Sequence, residues 1–224
     1  MRPYLKSQGL NVVLVGNFNP AIFHPSWFSV NGLIPQQEAD KAQIQIVHPD
    51  AAFFAIDWLE VNVLRERFQI ATGQEAYFEP LRDLVVGIFE LLSYTPLQHM
   101  GVNRNFHFGL ESDRKLRLLC NRFAPEKNWQ SILPNTDMTS LIVRGSRKDE
   151  LPGFVGVKIE PSAVVRPGIF VEVNDHYDLT DANKASLLSP IISEILTNRW
   201  TESLQRSLTI AEAVTALESE DASQ

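Results

Sequence analysis

Across residues 79–110 the spacing of apolar positions changes from helical to extended. Leu81, Leu84, Val85, Ile88, Leu91 and Leu92 recur at steps of three and four, which places them on one side of a helix; Val86 and Phe89 widen the stripe. Pro80 suits the first helical position, where a missing N–H costs nothing. Thr95 precedes Pro96, a pair that disfavours further helix. Beyond it the period falls to two. Met100, Val102, Phe106, Phe108 and Leu110 share one face of a strand, and His99, Gly101, Asn103, Asn105, His107 and Gly109 share the other. Arg104 falls on the apolar face, so it needs a partner there or a bulge that turns it away.

The same reading extends along the chain. Residues 11–16 (NVVLVG) form a short apolar run that predicts a buried strand. Residues 17–34 hold two prolines and the rings Phe18, Phe23, Trp27 and Phe28, predicting an ordered loop with a helical turn near Ser26. Strands are expected over 43–47, 53–57 and 59–70, the last with a bulge near Arg65-Glu66 where the alternation changes phase. Ser112 or Asp113 caps a helix that runs through Phe123. Strands follow over 138–144, 155–160 and 168–173, with 145–152 a charged hairpin loop. A final helix starts at Thr180 or Asp181, breaks or kinks at Pro190, and continues through Trp200, Leu204, Leu208, Ala211, Val214 and Leu217.

This order of strand runs followed by helices predicts an α+β fold. A largely antiparallel sheet is packed by a central helix and a long C-terminal helix, with a hint of pseudo-duplicated βββα halves. A single domain over 1–224 is expected, with 200–224 a helical extension ending in a frayed acidic tail.

Composition narrows the class. The chain has 224 residues and a net charge of −7, which argues against broad attraction to nucleic acid. Cys120 is the single cysteine, so no intrachain disulfide can form, as suits a reducing cytosol. No apolar run reaches membrane-spanning length. A cytoplasmic protein with no membrane attachment is expected.

Three stretches invite chemistry. The segment Gly16, Phe18, Asn19 and Pro20 resembles the opening of nucleotidyltransferases that build dinucleotide cofactors. However, His24 is displaced, and Pro25-Ser26-Trp27 stands where their second histidine is needed. The polar strand face of His99, Asn103, Asn105 and His107 spaces its side chains about 7 Å apart, suited to lining a cleft; His99 and His107 are too far apart to share a metal. The run Asn174-Asp175-His176-Tyr177-Asp178 reads as a loop between strand and helix, where Asp175 and Asp178 could orient His176 or simply form turns and caps. Arg144, Arg147 and Lys148 make a small basic cluster. No metal site and no cofactor are expected, and no catalytic set is complete.

The succession FNPAIFHPSWF, FEPLRDLV and PLQHMGVNRNFHF, with Gly101-Val102-Asn103-Arg104 the closest phrase, resembles a sporadically distributed family of uncharacterised bacterial α+β proteins. Such a distribution implies accessory gene content, such as mobile-element or phage-defence modules. The leading expectation is therefore a non-enzymatic interaction protein, a subunit of a bacterial multi-protein assembly. It would meet a protein partner or a second copy through Trp200, Leu204, Leu208, Val214 and Leu217. The alternative is a small-ligand or nucleotide pocket between the sheet and the aromatic loop, using Asn103, Asn105, His107, Asp175, His176, Phe23 and Trp27. A third reading is a nucleic-acid-binding module that uses the exposed sheet and the basic hairpin.

Overall fold

A computed structural model describes residues 3–149, 151–180 and 189–216. The chain opens with β1 (Tyr4–Gly16), followed by the short helices α1 (Pro25–Val30) and α2 (Gln36–Ala39). A meander follows: β2 (Gln43–His48), β3 (Ala51–Ile56), β4 (Leu59–Leu64) and β5 (Arg67–Thr72). Next come α3 (Phe78–Leu91), β6 (Leu97–Gly109) and α4 (Asp113–Phe123). A second meander of β7 (Leu141–Ser146), β8 (Gly153–Pro161) and β9 (Gly168–Asp178) leads to α5 (Ser189–Asn198) and α6 (Trp200–Ala216). The nine strands form one sheet in the order β2-β3-β4-β5-β1-β6-β9-β8-β7, antiparallel at each pairing.

The expected α+β architecture is present, whereas the expected βββα halves are replaced by β1–β5 before α3 and β6–β9 before α5, arranged about a common centre. The long strands β1 and β6 pair at the centre, with Asn11 opposite Asn103. On one side lie β5, β4 and β3; on the other lie β9, β8 and β7. Each outer meander returns to its own central strand and hands over to helix. Helices follow the central strand in both halves, α1 and α2 after β1 and α4 after β6, and the added strand β2 breaks the symmetry.

Two expectations about strand ends are corrected. Residues 59–70 are two strands, with Val63 opposite Phe68 and Arg65-Glu66 forming the turn between them. A tight turn and a bulge both shift the phase of alternation, so the pattern alone does not separate them. The second correction concerns β9, which continues to Asp178 instead of ending at Val173. The expected Asn174–Asp178 loop is therefore strand, paired on both sides by β6 and β8.

The helices cover one face. Beneath β1 to β5 they bury Leu81, Val85, Ile88 and Phe89 of α3 against Val12, Phe54, Phe68 and Ile70. The aromatic loop seals this side: Phe28 meets Phe54 edge-on at 5.4 Å, and Phe23 lies 5.4 Å from Phe68. A second cluster joins Phe106, Phe108, Ile159 and Val171 to Leu119 of α4 and Ala211 of α6.

Arg104 stays on this buried face with no bulge in the β6–β9 register. Its Nη1 donates to the Leu204 carbonyl at 2.9 Å and its Nη2 to Gln8 Oε1. The guanidinium also lies 4.8 Å from the Phe106 ring centroid. Burial lowers its pKa from the ordinary arginine value, and Glu75 opposes that shift.

The C-terminal helix is not an unattached arm. Trp200 is buried in the first cluster, and Leu204 packs against it. Leu208 and Val214 pack against the second cluster. The apolar stripe expected to meet another chain is spent on the protein's own sheet, so residues 200–216 belong to the body of the fold. Leu217 and the acidic tail lie outside the described residues. So does Asp181, one of the two expected caps, and Pro190 is the second residue of α5.

Candidate functional site on the open sheet face

The other face of the sheet carries no helix among the described residues. Because β5, β6, β9 and the Leu10–Val15 stretch of β1 alternate in register, their inward residues feed the core while the intervening residues rise together on this face. At its centre is a depression of about 340 Å³ lined by Asn11, Arg67, Gln69, His99, Gly101, Asn103, Glu172, Asn174 and His176, among others. It sits on the pseudo-twofold relation itself.

Gly101 opens the floor. A Cβ there would meet Asn174 Oδ1 at 3.1 Å and the Asn103 amide at 3.6 Å. Asn103 Nδ2 donates to Asn11 Oδ1 at 2.7 Å across the central strands. Arg67 Nη2 donates to Gln69 Oε1 at 2.8 Å. Two polar atoms have no such partner: Asn174 Oδ1 and His99 Nδ1 are both buried without a hydrogen bond. His99 Nδ1 is 3.7 Å from Asp178 Oδ1, an ion-pair distance when the ring is protonated but too long for a hydrogen bond. Asp178 Oδ1 instead accepts from the Thr180 backbone N–H at 3.0 Å and from the Thr180 hydroxyl at 2.5 Å.

The His99 and His176 rings line one side, and Phe154 backs His176 from outside the depression. His176 stacks on Phe154 at 4.3 Å and lies 5.2 Å from His99. The Arg144 guanidinium covers Phe154 at 4.5 Å. Burial lowers the His176 pKa, and the neighbouring His99, Arg144 and Arg147 push the same way, against Asp178. His176 is then a neutral imidazole at neutral pH, offering one donor and one acceptor. Glu172 goes in the other direction. Burial raises its pKa above the usual carboxylate range, with Glu160 adding to that and Lys158 and Arg67 opposing it.

The expected ligand residues separate. Asn103 and His176 line the depression. Asn105 and His107 share its face farther along β6, where His107 Nδ1 is 2.8 Å from Ser162 Oγ and the ring lies 4.9 Å from Phe170. Burial lowers the His107 pKa. Asp175 points the opposite way. It is fully buried on the helix side, where Arg206 Nη1 donates to both its oxygens at 3.0 and 2.9 Å and Arg147 Nη1 donates as well. Phe23 and Trp27 are also on the helix side, 5.8 Å apart within the aromatic packing. The cavity expected between sheet and aromatic loop is filled by those rings.

Asn11, Arg67, Gln69, Glu172 and Asn174 were missed as members of one site. Glu172, Asn174 and His176 alternate with Val171, Val173 and Asp175, and that alternation was the available signal. The other members come from strands brought alongside by pairing alone. The depression thus combines neutral amides and imidazoles with one cation and one carboxyl group. No cluster of metal-ligating side chains occurs among the described residues. No helix among them is long and apolar enough to cross a membrane.

The molecule is an α+β protein built on one open-faced antiparallel sheet. Compared with known proteins, its chain matches no family model and no curated protein.

Proposed function

We propose that this protein binds a small polar ligand, of nucleoside size and with a planar ring, in the depression at the centre of the open sheet face. The observation that carries this reading is the pair of buried, unbonded atoms in its walls, Asn174 Oδ1 and His99 Nδ1. Leaving such an atom without a partner costs about 1–3 kcal/mol, a cost that a bound donor or acceptor would remove once the Asn174 amide or the His99 ring turned toward it. The depression is at the small end of ligand-site volumes, which run from about 300 Å³ upward. Neutral amides in quantity suit the edge of a base or a sugar, and the His176 imidazole, backed by Phe154 at 4.3 Å, offers a surface for a ring.

Thermal-shift and saturation-transfer measurements with the common ribonucleosides test this. At least one should raise the melting temperature in wild type and lose that effect in Asn174→Leu. The reading is overturned if no ribonucleoside at millimolar concentration gives saturation transfer, or if the variant responds as wild type does.

A further inference from the structure

At the far end of the second half the sheet ends with β7, whose first residue, Leu141, packs against the second cluster while Ile142 to Ser146 are exposed. In the first half, the outer strand β3 is covered on the helix side by Phe28 over Phe54. It is also flanked by β2, an edge strand with a register shift between Ile44 and Ile46. Bulges of that kind keep an edge from pairing with another chain. The counterpart strand β7 has neither protection. Its pairing with β8 runs without a shift from Leu141–Ile159 to Ser146–Phe154. Its sequence, LIVRGS, contains no proline. Ile142 is 65% exposed and Val143 52%.

Beside this edge α6 stands away from the sheet and leaves an apolar groove of about 870 Å³. Val143, Val155 and Val157 form its floor, and Thr209 and Ile210 of α6 form part of its wall. Gly145 keeps it wide, since a Cβ there would meet nothing within 4 Å. The wall is held in place from below: Arg206 of α6 donates to Asp175 of β9 and, at 3.1 Å, to Asp149. The charges at the rim are mainly positive. Among the described residues Arg144 and Lys148 border this edge, Arg144 with its guanidinium on the open face over Phe154, whereas Glu202 accepts from Arg206 at 2.7 Å and lies 3.5 Å from Arg199.

We infer that the β7–α6 groove is a docking site for an extended acidic–apolar peptide segment of a partner protein, which adds as a tenth strand along β7. Its alternate apolar side chains fill the groove over Val143, Val155 and Val157. Its acidic residues meet Arg144 and Lys148. An unprotected edge supplies the backbone hydrogen bonds, and the pockets for alternate side chains supply selectivity. The basic rim selects against a second copy, whose own β7 would bring Arg144 and Lys148 to the same place.

A fluorescent blocked hexapeptide alternating valine with aspartate is the probe, with its lysine-for-aspartate counterpart as control. In low salt the aspartate peptide should bind by fluorescence polarisation, and Arg144→Glu with Lys148→Glu should weaken it at least roughly tenfold. Lys148 is exposed and Arg144 rests on the Phe154 ring, so far-UV circular dichroism of the double variant should match wild type and its melting temperature should fall only slightly. Backbone amide exchange over 141–146 should slow when the peptide is present. The proposal fails if the lysine peptide binds as well, if neither binds, or if amide exchange in β7 is unchanged. It also fails if light scattering shows a dimer that Val143→Lys disperses, since the occupant would then be a second copy.

Discussion

Asn103 Nδ2 donates to Asn11 Oδ1 at 2.7 Å across the strand pair about which the two halves of the fold are related. Asn103 is nearly buried, so this amide pair is shielded from water on one side. Replacing Asn103 with Ala should lower stability by about 1 kcal/mol, the usual net worth of one hydrogen bond. A double-mutant cycle with Asn11→Ala should show that most of this loss is shared between the two positions. Urea denaturation measures both.

Gly101 lies in the floor of the ligand site. In Gly101→Ala the new methyl group meets Asn174 Oδ1 at 3.1 Å, so the amide must give way slightly while the methyl group takes up floor space. The fold should tolerate the change, because the neighbour is a side chain. Stabilisation by any ribonucleoside that raises the melting temperature of wild type should fall or vanish. Paired thermal-shift curves for variant and wild type check this.

Glu172 sets a pH dependence whose sign follows from its raised pKa. The folded protein holds the proton more tightly than the unfolded chain does. Stability from this group is therefore present below the unfolded carboxyl value of about 4.3 and is lost as pH rises through the folded value. Glu172→Gln should melt higher than wild type at neutral pH and close to it in acid. Melting temperatures measured across that range test the direction.

The buried cluster beneath β9 works the other way. Burial raises the Asp149 pKa, but hydrogen bonds from Arg147 and the charges of Arg147 and Arg206 outweigh it and bring it down to about 2. The stability from Asp149 is present above the unfolded carboxyl value and is lost as pH falls toward about 2. Asp175 in the same cluster is fully buried. Removing Arg206 by Arg206→Met should cost about 1–3 kcal/mol, since Arg147 alone is then left to hold two buried carboxylates. Denaturation at neutral pH reads that cost, and an acid titration of wild type reads the Asp149 contribution.

Trp200 tests the assignment of α6 to the body of the protein. Its side chain is 1% exposed within the first core cluster. Trp200→Ala should destabilise the chain by about 3–5 kcal/mol through lost burial and the cavity left behind. If Trp200 served another chain instead, the isolated protein would be nearly indifferent to the change. Thermal unfolding distinguishes the two.

The local pattern determined a great deal. The period of three and four over 79–92 and the period of two over 97–110 are properties of backbone geometry, and both elements formed where they were expected. Ser112 accepts from the Lys115 backbone N–H at 3.3 Å and caps its helix as read. The α+β order followed from the same signals. Partner choice between strands was decided only in three dimensions. Asn11 and Asn103 are 92 positions apart in the chain, and no periodicity reports that they meet. Asp175 and His176 are adjacent in sequence, yet the two faces of β9 send one to a buried ion cluster and the other to the ligand site. The apolar stripe of α6 looked the same whether its cover was this sheet or another molecule. Hydrophobic spacing says that a face must be buried, and only the folded chain says against what.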